Sequence, residues 1–387
     1  MKARILLYLF SFLYVSLIHA QGVHVFLSGE DGHKSYRIPA IISLPAGDLF
    51  AFAEGRVNGS GDFGDINLVM KRSVDGGKTW SGMQTLVNYD SLQAGNPAPV
   101  VDLHDPAYPA GVIYLFYNTG NNHEWEMRAR KGIREVWYIR SVDLGETWSM
   151  PVNITAQVHR PNQPQVNSAY VFKEDWRSYA LTPGHAMQFQ TGKYKGRIFV
   201  AANHSSGPPQ EQFKDYHAHG FYTDDHGKTF KLSESIGIPG SNEAIAAELS
   251  KDRMIMSIRN QRGDIRSRII AYSKNGGVSW DTTYFDLRLP DPVCQGSIIT
   301  LGYKHNKAII ASSNAADTKR RDHLTLRISY DEGSSWEKSI LIDKGENEQK
   351  QDWTAYSDLV VINKRIVGVL YERDNYATIV FKKINWR

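Results

Sequence analysis

The sequence predicts an all-β protein built as a β-propeller. Three observations lead to this prediction: one turn motif recurs five times, no helical periodicity separates its copies, and the composition suits short strands. Tyr, Trp, Ile, Val and Thr are abundant, and 32 glycines and 15 prolines supply turns. At 387 residues the chain is long enough for one large domain.

The recurring motif has the pattern Ser/Thr-x-Asp-x-Gly-x-Thr/Ser-Trp/Phe, and strand-like segments precede its copies. In such a turn the Asp carboxylate can accept backbone N–H groups, the Gly permits a positive φ, and the aromatic ring can fill the space beneath a hairpin. We therefore interpret the motif as a structural lock rather than a catalytic device. The copies are SVDGGKTW at 73–80, SVDLGETW at 141–148, SYDEGSSW at 329–336, and the weaker TDDHGKTF at 223–230 and SKNGGVSW at 273–280.

The spacing of these turns indicates a ring of similar β-units. Successive copies start 68, 82, 50 and 56 residues apart, as read from the sequence. Four-stranded sheets arranged radially satisfy such a repeat. The unequal spacing implies long loops in some units, and loops on a rigid scaffold are where function is expected.

Residues 1–20 have the pattern of a secretory signal peptide. Lys2 and Arg4 precede an apolar run without acidic residues, and the run ends in Ile-His-Ala before Gln-Gly, which predicts cleavage after Ala20. The alternative, an N-terminal membrane anchor, is disfavoured because the run is short for a full span. We therefore expect residues 21–387 to form a single catalytic domain that is periplasmic, cell-surface or extracellular. Cys294 is the only cysteine, so no internal disulfide is expected.

The charge balance argues against a nucleic-acid partner. The formal net charge is +4, of which Lys2 and Arg4 supply two charges. No later segment is apolar enough to cross a bilayer, and we expect a monomer. The histidines are scattered, with no cluster at metal-ligand spacing, so no metal and no cofactor are expected.

Two further motifs resemble those of the sialidase (neuraminidase) family. YRIPA at 36–40 is similar to the family's Phe/Tyr-Arg-Ile-Pro motif, LFAFAEGR follows at 49–56, and the five turns are similar to the family's Asp-boxes. The resemblance runs from about residue 36 to about residue 381 and is to the secreted, bacterial type. It implies a six-bladed propeller with a central cleft for an acidic sugar, the family commonly lacking one box in some blade.

The resemblance implies three arginines that bind the carboxylate of sialic acid. A guanidinium offers a planar donor fork that matches a carboxylate and stays charged. The matching residues are Arg37 in YRIP, Arg259 in MSIRNQ, and Arg321 in TKRRDHLTLR. Arg320 is the rival for the third position, and Arg327 lies in the strand leading to the last turn.

The resemblance also implies a tyrosine nucleophile, the known exception among glycosidases. A neutral phenol avoids the repulsion that an attacking carboxylate would meet from the substrate's own charge. Tyr356 in AYSDLVVI matches the family's Tyr-Ser motif. A tyrosine needs a base, because its ordinary pKa is about 10. Glu243, sixteen residues before Arg259, is preferred for this role over Glu248.

The general acid is expected in the loop after LFAFAEGR. Asp62 stands ten residues before Arg72, as the family's acid does, whereas Asp65 is interpreted as structural. Flanking glycines would let this loop close over the substrate. By the same resemblance Arg56 is expected to contact the substrate or orient the loop, and Glu372 to hold Arg37 in place.

Together these residues predict an exo-α-sialidase that releases terminal sialic acid with retention from glycoproteins, glycolipids such as gangliosides, and oligosaccharides. A trans-sialidase, or an enzyme that releases an anhydro-sugar, would use the same residues and differ in the aromatic lining near the aglycone. NNHEWEMR at 121–128 is one candidate for that lining. A sialic-acid lectin should lack Tyr356, Glu243 or Asp62, and a purely structural propeller would not need the three arginines.

Overall fold

The structure is a computed structural model that describes residues 22–346 and 352–387. The predicted signal peptide lies outside the described residues. The strands are β1 (Val23–Leu27), β2 (Ser35–Ser43), β3 (Leu49–Arg56), β4 (Ile66–Ser73), β5 (Gln84–Val87), β6 (Gln93–Asp102), β7 (Val112–Gly120), β8 (Arg134–Ser141), β9 (Val152–Asn153), β10 (Trp176–Leu181), β11 (Met187–Gln188), β12 (Ile198–Ser206), β13 (Tyr216–Thr223), β14 (Lys231–Leu232), β15 (Ser241–Glu248), β16 (Met254–Asn260), β17 (Ser267–Ser273), β18 (Thr282–Pro290), β19 (Gly296–Lys304), β20 (Lys307–Ala315), β21 (Leu324–Ser329), β22 (Lys338–Asp343), β23 (Thr354–Val361), β24 (Ile366–Arg373) and β25 (Thr378–Asn385). The helices are α1 (Glu124–Arg128), α2 (Thr155–Val158) and a 3₁₀ turn at Glu211–Phe213.

The strands of the described residues form five sheets. Three have four strands, in the orders β15-β16-β17-β18, β19-β20-β21-β22 and β1-β25-β24-β23; one has five, β10-β12-β13-β14 with β11 on β12. The eight-stranded sheet, β2-β3-β4-β6-β7-β8-β9 with β5 on β4, consists of two antiparallel runs. A single parallel pair, Ile66 with Gln93, joins those runs.

The ring is closed by the two ends of the chain. Strand β1 pairs antiparallel with β25, with Val23 opposite Phe381. The first strand therefore completes the sheet that the last three strands build, which leaves no open seam between the ends. The prediction of an all-β propeller is confirmed.

The core lies between neighbouring sheets. Phe199 and Met256, from adjacent sheets, belong to one buried cluster, and Ala51 and Leu370 to another. Because both faces of each sheet are covered, central strands such as β3 are buried along their whole length. Such strands read as nearly continuous apolar runs rather than alternating ones.

The repeated turns have the predicted geometry. Asp75 Oδ1 accepts hydrogen bonds from the backbone N–H groups of Lys78 (2.9 Å) and Thr79 (3.0 Å), and Oδ2 accepts from the Thr79 hydroxyl at 2.7 Å. Gly77 has φ +84°, and a Cβ there would lie 2.1 Å from the ring of Phe381. Trp80 packs edge-on against the same ring at 5.6 Å. Each carboxylate or amide at the matching position, Asp143, Asp225, Asn275 and Asp331, accepts the same backbone bond four residues on.

Candidate active site

Most of the predicted site residues meet in one cleft. Strands β3, β15, β16 and β23 contribute Arg56, Glu243, Arg259 and Tyr356 to its lining, and Asp62 enters from the loop between β3 and β4. The cavity has a volume of about 210 Å³. Residues up to 300 positions apart in the sequence therefore border one space, because every sheet sends its first strands toward the centre of the ring.

At the floor of the cleft, Tyr356 and Glu243 share a short hydrogen bond. The Tyr356 hydroxyl donates to Glu243 Oε1 at 2.6 Å and accepts from Arg259 Nη1 at 2.9 Å, while Glu243 Oε2 accepts from the same Nη1 at 2.7 Å. Burial and the Glu243 charge raise the pKa of Tyr356 well above its usual value, against the opposing effect of Arg259 and Arg321. The free phenol is therefore protonated, with a carboxylate placed to accept its proton.

Glu372 holds Arg37 and the strand of Tyr356 together. Its carboxylate is fully buried and accepts from Arg37 Nε at 2.6 Å and Nη2 at 3.3 Å. It also accepts from the backbone N–H groups of Ile38 (2.9 Å) and Tyr356 (3.2 Å). Ile38 has φ +58°, a left-handed conformation that is strained for a β-branched residue. Glu372 therefore lies where the sequence placed it, against Arg37.

Arg321, rather than Arg320 or Arg327, lies beside Tyr356. Its guanidinium lies 5.6 Å from the ring centre of Tyr356, and its Nη1 donates to the Tyr376 hydroxyl at 3.1 Å. Arg320 has its Nε 3.5 Å from Asp317, and Arg327 donates to Asn314 at 3.0 Å. The residue that the sequence preferred thus lies beside Tyr356, and its role in binding a carboxylate stays a prediction.

Asp62 is held by Arg56 at the mouth of the cleft. Arg56 Nη1 donates to Asp62 Oδ1 at 2.7 Å, and Nε and Nη2 donate to buried Glu54 at 3.0 and 2.6 Å. The Asp62 side chain is 82% exposed. Desolvation would raise its pKa, but the charges of Arg56 and Arg37 outweigh that effect and lower it. In the unliganded protein Asp62 is therefore ionised at neutral pH.

Glu248 and Asp65, for which the sequence predicts no catalytic role, lie outside the cleft. Glu248 accepts from the backbone N–H groups of Gln190 (2.8 Å) and Thr191 (3.0 Å), and so ties a loop to β15. The backbone carbonyl of Asp65 accepts from Val57 N–H at 3.0 Å, at the base of the loop between β3 and β4. Neither of these residues is part of the lining of the cleft.

Several polar residues of the cleft were missed by sequence reasoning. Glu54 lies in the LFAFAEGR motif, but the sequence predicted no role for it, and Tyr376 lies outside every motif that the sequence analysis identified. A polar group made of Gln93, Glu124, Arg134 and Tyr216 also lines the cavity. Within it, Glu124 accepts from the Ser178 hydroxyl at 2.6 Å and from Tyr216, and Arg134 donates to Gln93. No local sequence signal marks Glu124, because its partners Ser178 and Tyr216 come from strands β10 and β13, far along the chain.

Aromatic rings border the cleft beside Asp62. The ring of Phe63 lies 4.8 Å from that of His123, which stacks in turn on Trp125 at 6.4 Å. Trp125 is 63% exposed, an unusual state for so large an apolar side chain. The 121–128 segment, a candidate aglycone lining in the sequence, thus contributes two of these three aromatic rings.

The fold also creates one cluster of metal-ligand type that the sequence did not indicate. Among the described residues, Asp102, Asp105 and His226 have ligand atoms within 4.8 Å of one another. His226 Nδ1 is hydrogen-bonded to Asp102 Oδ2 at 2.7 Å. The three residues are not part of the cleft lining.

The fold and the cleft define a β-propeller protein with a tyrosine–carboxylate pair surrounded by arginines. A family model described as a BNR repeat-like domain matches residues 47–369. A sialidase of Bacteroides fragilis is 29% identical over 385 residues, which are 92% of this chain and 63% of that protein. An exo-alpha-sialidase of Arthroderma benhamiae is 30% identical over 331 residues, which are 80% of this chain and 70% of that protein.

A solved structure agrees with these relatives. The Hadza microbial sialidase Hz136 superposes with a TM-score of 0.76 at 26% identity, covering 94% of this chain and 68% of that one. The chain belongs to the sialidase family, in its bacterial type. It spans less than two thirds, 63%, of the Bacteroides fragilis protein's length. No helix among the described residues is long and apolar enough to cross a membrane.

Proposed function

We propose that the protein is an exo-α-sialidase that hydrolyses terminal α-linked sialic acids with retention, using Tyr356 as the nucleophile. One observation is the main support: the Tyr356 hydroxyl lies in the cleft 2.6 Å from Glu243 and 2.9 Å from Arg259. The guanidiniums of Arg321 and Arg37 lie 5.6 and 5.4 Å from the centre of the Tyr356 ring. A phenol with a carboxylate base and nearby cations suits attack on a carbon that carries a carboxylate.

In the proposed reaction Arg37, Arg259 and Arg321 bind the substrate carboxylate. Glu243 takes the phenolic proton as Tyr356 Oη bonds to the anomeric carbon, and Asp62 gives a proton to the departing glycosidic oxygen. In the second step Asp62 takes a proton from water, whose oxygen replaces Tyr356 on the anomeric carbon, and Glu243 returns the proton to the phenolate. No metal or cofactor has a role in this scheme.

The direct test is release of a fluorescent phenol from its aryl α-sialoside by the wild-type protein. Release that saturates with substrate supports the proposal. Binding of sialic acid without any turnover would instead support a lectin, which is the interpretation that the retained Tyr356, Glu243 and Asp62 argue against.

Asp62→Ala is expected to discriminate between substrates by their leaving groups. The acid contributes most when the leaving group is a sugar alkoxide and little when it is an acidic phenol. We expect kcat/KM to fall by about 10²-fold or more on sialyllactose but far less on the aryl sialoside. Equal losses on both substrates would contradict the assignment. Asp65→Ala is the control in the same loop.

The lowered pKa of Asp62 also bears on this scheme. As a general acid Asp62 must be protonated, yet Arg56 and Arg37 favour its ionised form in the unliganded cleft. Binding of a substrate carboxylate beside Arg37 adds a negative charge that works in the opposite direction. The proposed enzyme should therefore work best at acidic pH, with kcat, which reports the substrate-bound state, falling as the pH rises.

Transfer or anhydro-sugar release uses the same groups, so the reaction product must decide between these activities and hydrolysis. Free sialic acid in water, with no sialylated acceptor formed when lactose is added, is the result that the proposal requires. A 2,7-anhydro product would instead indicate anhydro-sugar release, and a new sialoside would indicate transfer.

Trp125 is expected to contribute to binding of the aglycone sugar at the rim. An exposed indole can pack against the apolar face of a sugar ring. Trp125→Ala should raise KM about fivefold or more for sialyllactose, a loss of roughly 1 kcal/mol of contact, and leave KM for methyl α-sialoside unchanged. Equal changes for both substrates would contradict this role; Trp125→Phe should restore part of the affinity.

Sialylated glycoproteins, glycolipids and oligosaccharides are the substrates that we propose. We also propose that residues 1–20 direct export and are removed after Ala20, that the mature chain acts outside the cytoplasm as a monomer, and that its sheets count as six blades. The single parallel pair between Ile66 and Gln93 supports that count, since it joins two otherwise separate four-stranded runs.

A further inference from the structure

Tyr376, which no motif marked, contacts two of the three predicted carboxylate-binding arginines. The guanidinium of Arg37 lies 3.8 Å from the centre of its ring, in cation–π contact. Its hydroxyl accepts a hydrogen bond from Arg321 Nη1 at 3.1 Å and donates one to Asp352 at 2.6 Å. Tyr376 therefore contacts Arg37 with the face of its ring and Arg321 with its hydroxyl group.

The backbone places Tyr376 in an unusual conformation. Asp374, Asn375 and Tyr376 all have positive φ, at 54°, 51° and 67°. Asp and Asn tolerate the left-handed region, but an aromatic residue there is an outlier that the surroundings must enforce. Such outliers concentrate at functional sites, which motivates a search for the function of this one.

The segment at 352–353, which contains the acceptor of the Tyr376 hydroxyl, also holds the turn at 374–376. The backbone N–H of Asp374 donates to the carbonyl of Trp353 at 2.8 Å, and that of Asn375 donates to the carbonyl of Asp352 at 3.1 Å. On the other side, the Ser28 hydroxyl donates to the carbonyl of Tyr376 at 2.7 Å. The turn is thus attached to two separate parts of the chain, and its tyrosine has little freedom to move.

The electrostatic need for such a residue follows from the arginines. Two guanidiniums near the same cleft repel each other while no anion lies between them. The π-face of Tyr376 attracts Arg37, and its hydroxyl, bonded onward to the Asp352 carboxylate, attracts Arg321. Arg37 already uses Nε and one N–H of Nη2 on Glu372, so the two N–H groups of Nη1 and the second N–H of Nη2 are the donors that remain for a ligand.

We propose that Tyr376 is a positioning residue that holds Arg37 and Arg321 in the geometry for the substrate carboxylate before substrate binds. This inference rests on the proposed function of the cleft. Tyr376 makes no bond to the reacting carbon in this proposal; it lowers the cost of collecting two like charges around one anion.

The test compares two ligands that differ only at C1. The probes are the 2,3-unsaturated analogue of sialic acid and the same compound with its carboxylate changed to a carboxamide. We expect Tyr376→Ala to reduce the wild-type preference for the acid about tenfold, and Tyr376→Phe, which keeps the ring but loses the hydroxyl, about threefold. The control is Tyr330→Ala, at a partly exposed tyrosine in the repeated turn at 329–336, and it should leave the preference unchanged.

The outcomes separate the inference from the proposed function. If Tyr376→Ala weakens both probes equally, the residue is merely structural and the inference is wrong. If Tyr376→Ala fails to fold, Tyr376→Phe decides, and an unchanged preference for the acid overturns the inference. A wild-type protein that binds neither probe and cleaves no sialoside would instead overturn the proposed function.

Discussion

Replacing Tyr356 by Phe is expected to reduce kcat on an aryl α-sialoside by about 10³-fold or more while the protein stays folded. The change removes only the hydroxyl oxygen, which is the atom that bonds to the anomeric carbon in the proposed mechanism. Binding of the substrate carboxylate should persist, because Arg37 and Arg321 keep their positions. The measurement is steady-state hydrolysis together with calorimetric binding of sialic acid.

Tyr371→Phe is a matched control for this experiment. Tyr371 is also buried and also donates to a carboxylate, that of Asp343 at 2.7 Å, but it is not part of the cleft lining. We expect this variant to lose stability of about 1 kcal/mol and to keep its kcat. If Tyr356→Phe retained wild-type kcat, Tyr356 would not be the nucleophile and the proposed mechanism would fail.

Acidification is expected to destabilise the fold strongly between pH 7.5 and pH 5.5 because of three buried histidines. His159, His204 and His219 lie together against Trp176, and the two ring nitrogens closest to each other, His204 Nδ1 and His219 Nδ1, are 3.1 Å apart. Both ring nitrogens of His159 are buried and without a hydrogen-bond partner among the described residues. In the part of the chain that the structure describes, no carboxylate is among the charged groups that act on these histidines.

Burial therefore lowers the pKa of each of these imidazoles, and that of His219 to about 3. Since the folded-state pKa lies below the unfolded value of about 6.5, the unfolded chain binds more protons as the pH falls through that value. Stability is fully present above pH 6.5 and is lost below it. Each histidine contributes a loss of roughly 1 kcal/mol at pH 5.5, and the three together a few kcal/mol.

The measurement is the free energy of urea unfolding at several pH values. His159→Phe should remove about a third of the loss, because it keeps a ring of similar shape and breaks no hydrogen bond of the described structure. The control is His305→Asn, since His305 lies exposed in a loop. A stability that does not change between pH 7.5 and pH 5.5 would contradict a neutral, buried cluster. The prediction sets a lower pH limit for an enzyme proposed to work in acid.

The site residues that could be predicted from the sequence lie in short contiguous motifs. Arg37 stands beside Ile38, whose left-handed backbone is part of the same local motif, and Tyr356 precedes an apolar strand. The repeated turns were predictable for the same reason, because Asp75 and its acceptor bonds involve residues no more than four positions away. Hydrogen bonds between residues that are close in sequence produce a recognisable short sequence pattern.

The parts that could not be predicted depend on contacts across the ring. Tyr376 has its position because the chain ends pair and bring the β24–β25 turn over Arg37. The sequence preferred Arg321 over Arg320 only through the family resemblance; the backbone before β21 places the Arg321 guanidinium beside Tyr356 and Arg320 against Asp317. The cluster of Asp102, Asp105 and His226 likewise exists only because two sheets meet.

The sequence by itself determined an all-β propeller, its repeated turns, and the family to which the candidate catalytic residues belong. Only the tertiary structure decided how those residues are held: Glu54 behind Arg56, Glu372 between Arg37 and the strand of Tyr356, and Tyr376 between two arginines. The physical reason is that a charge's environment in a buried cleft is set by whichever side chains lie within a few ångströms. In a ring closed by its two ends, those neighbours come from distant parts of the chain.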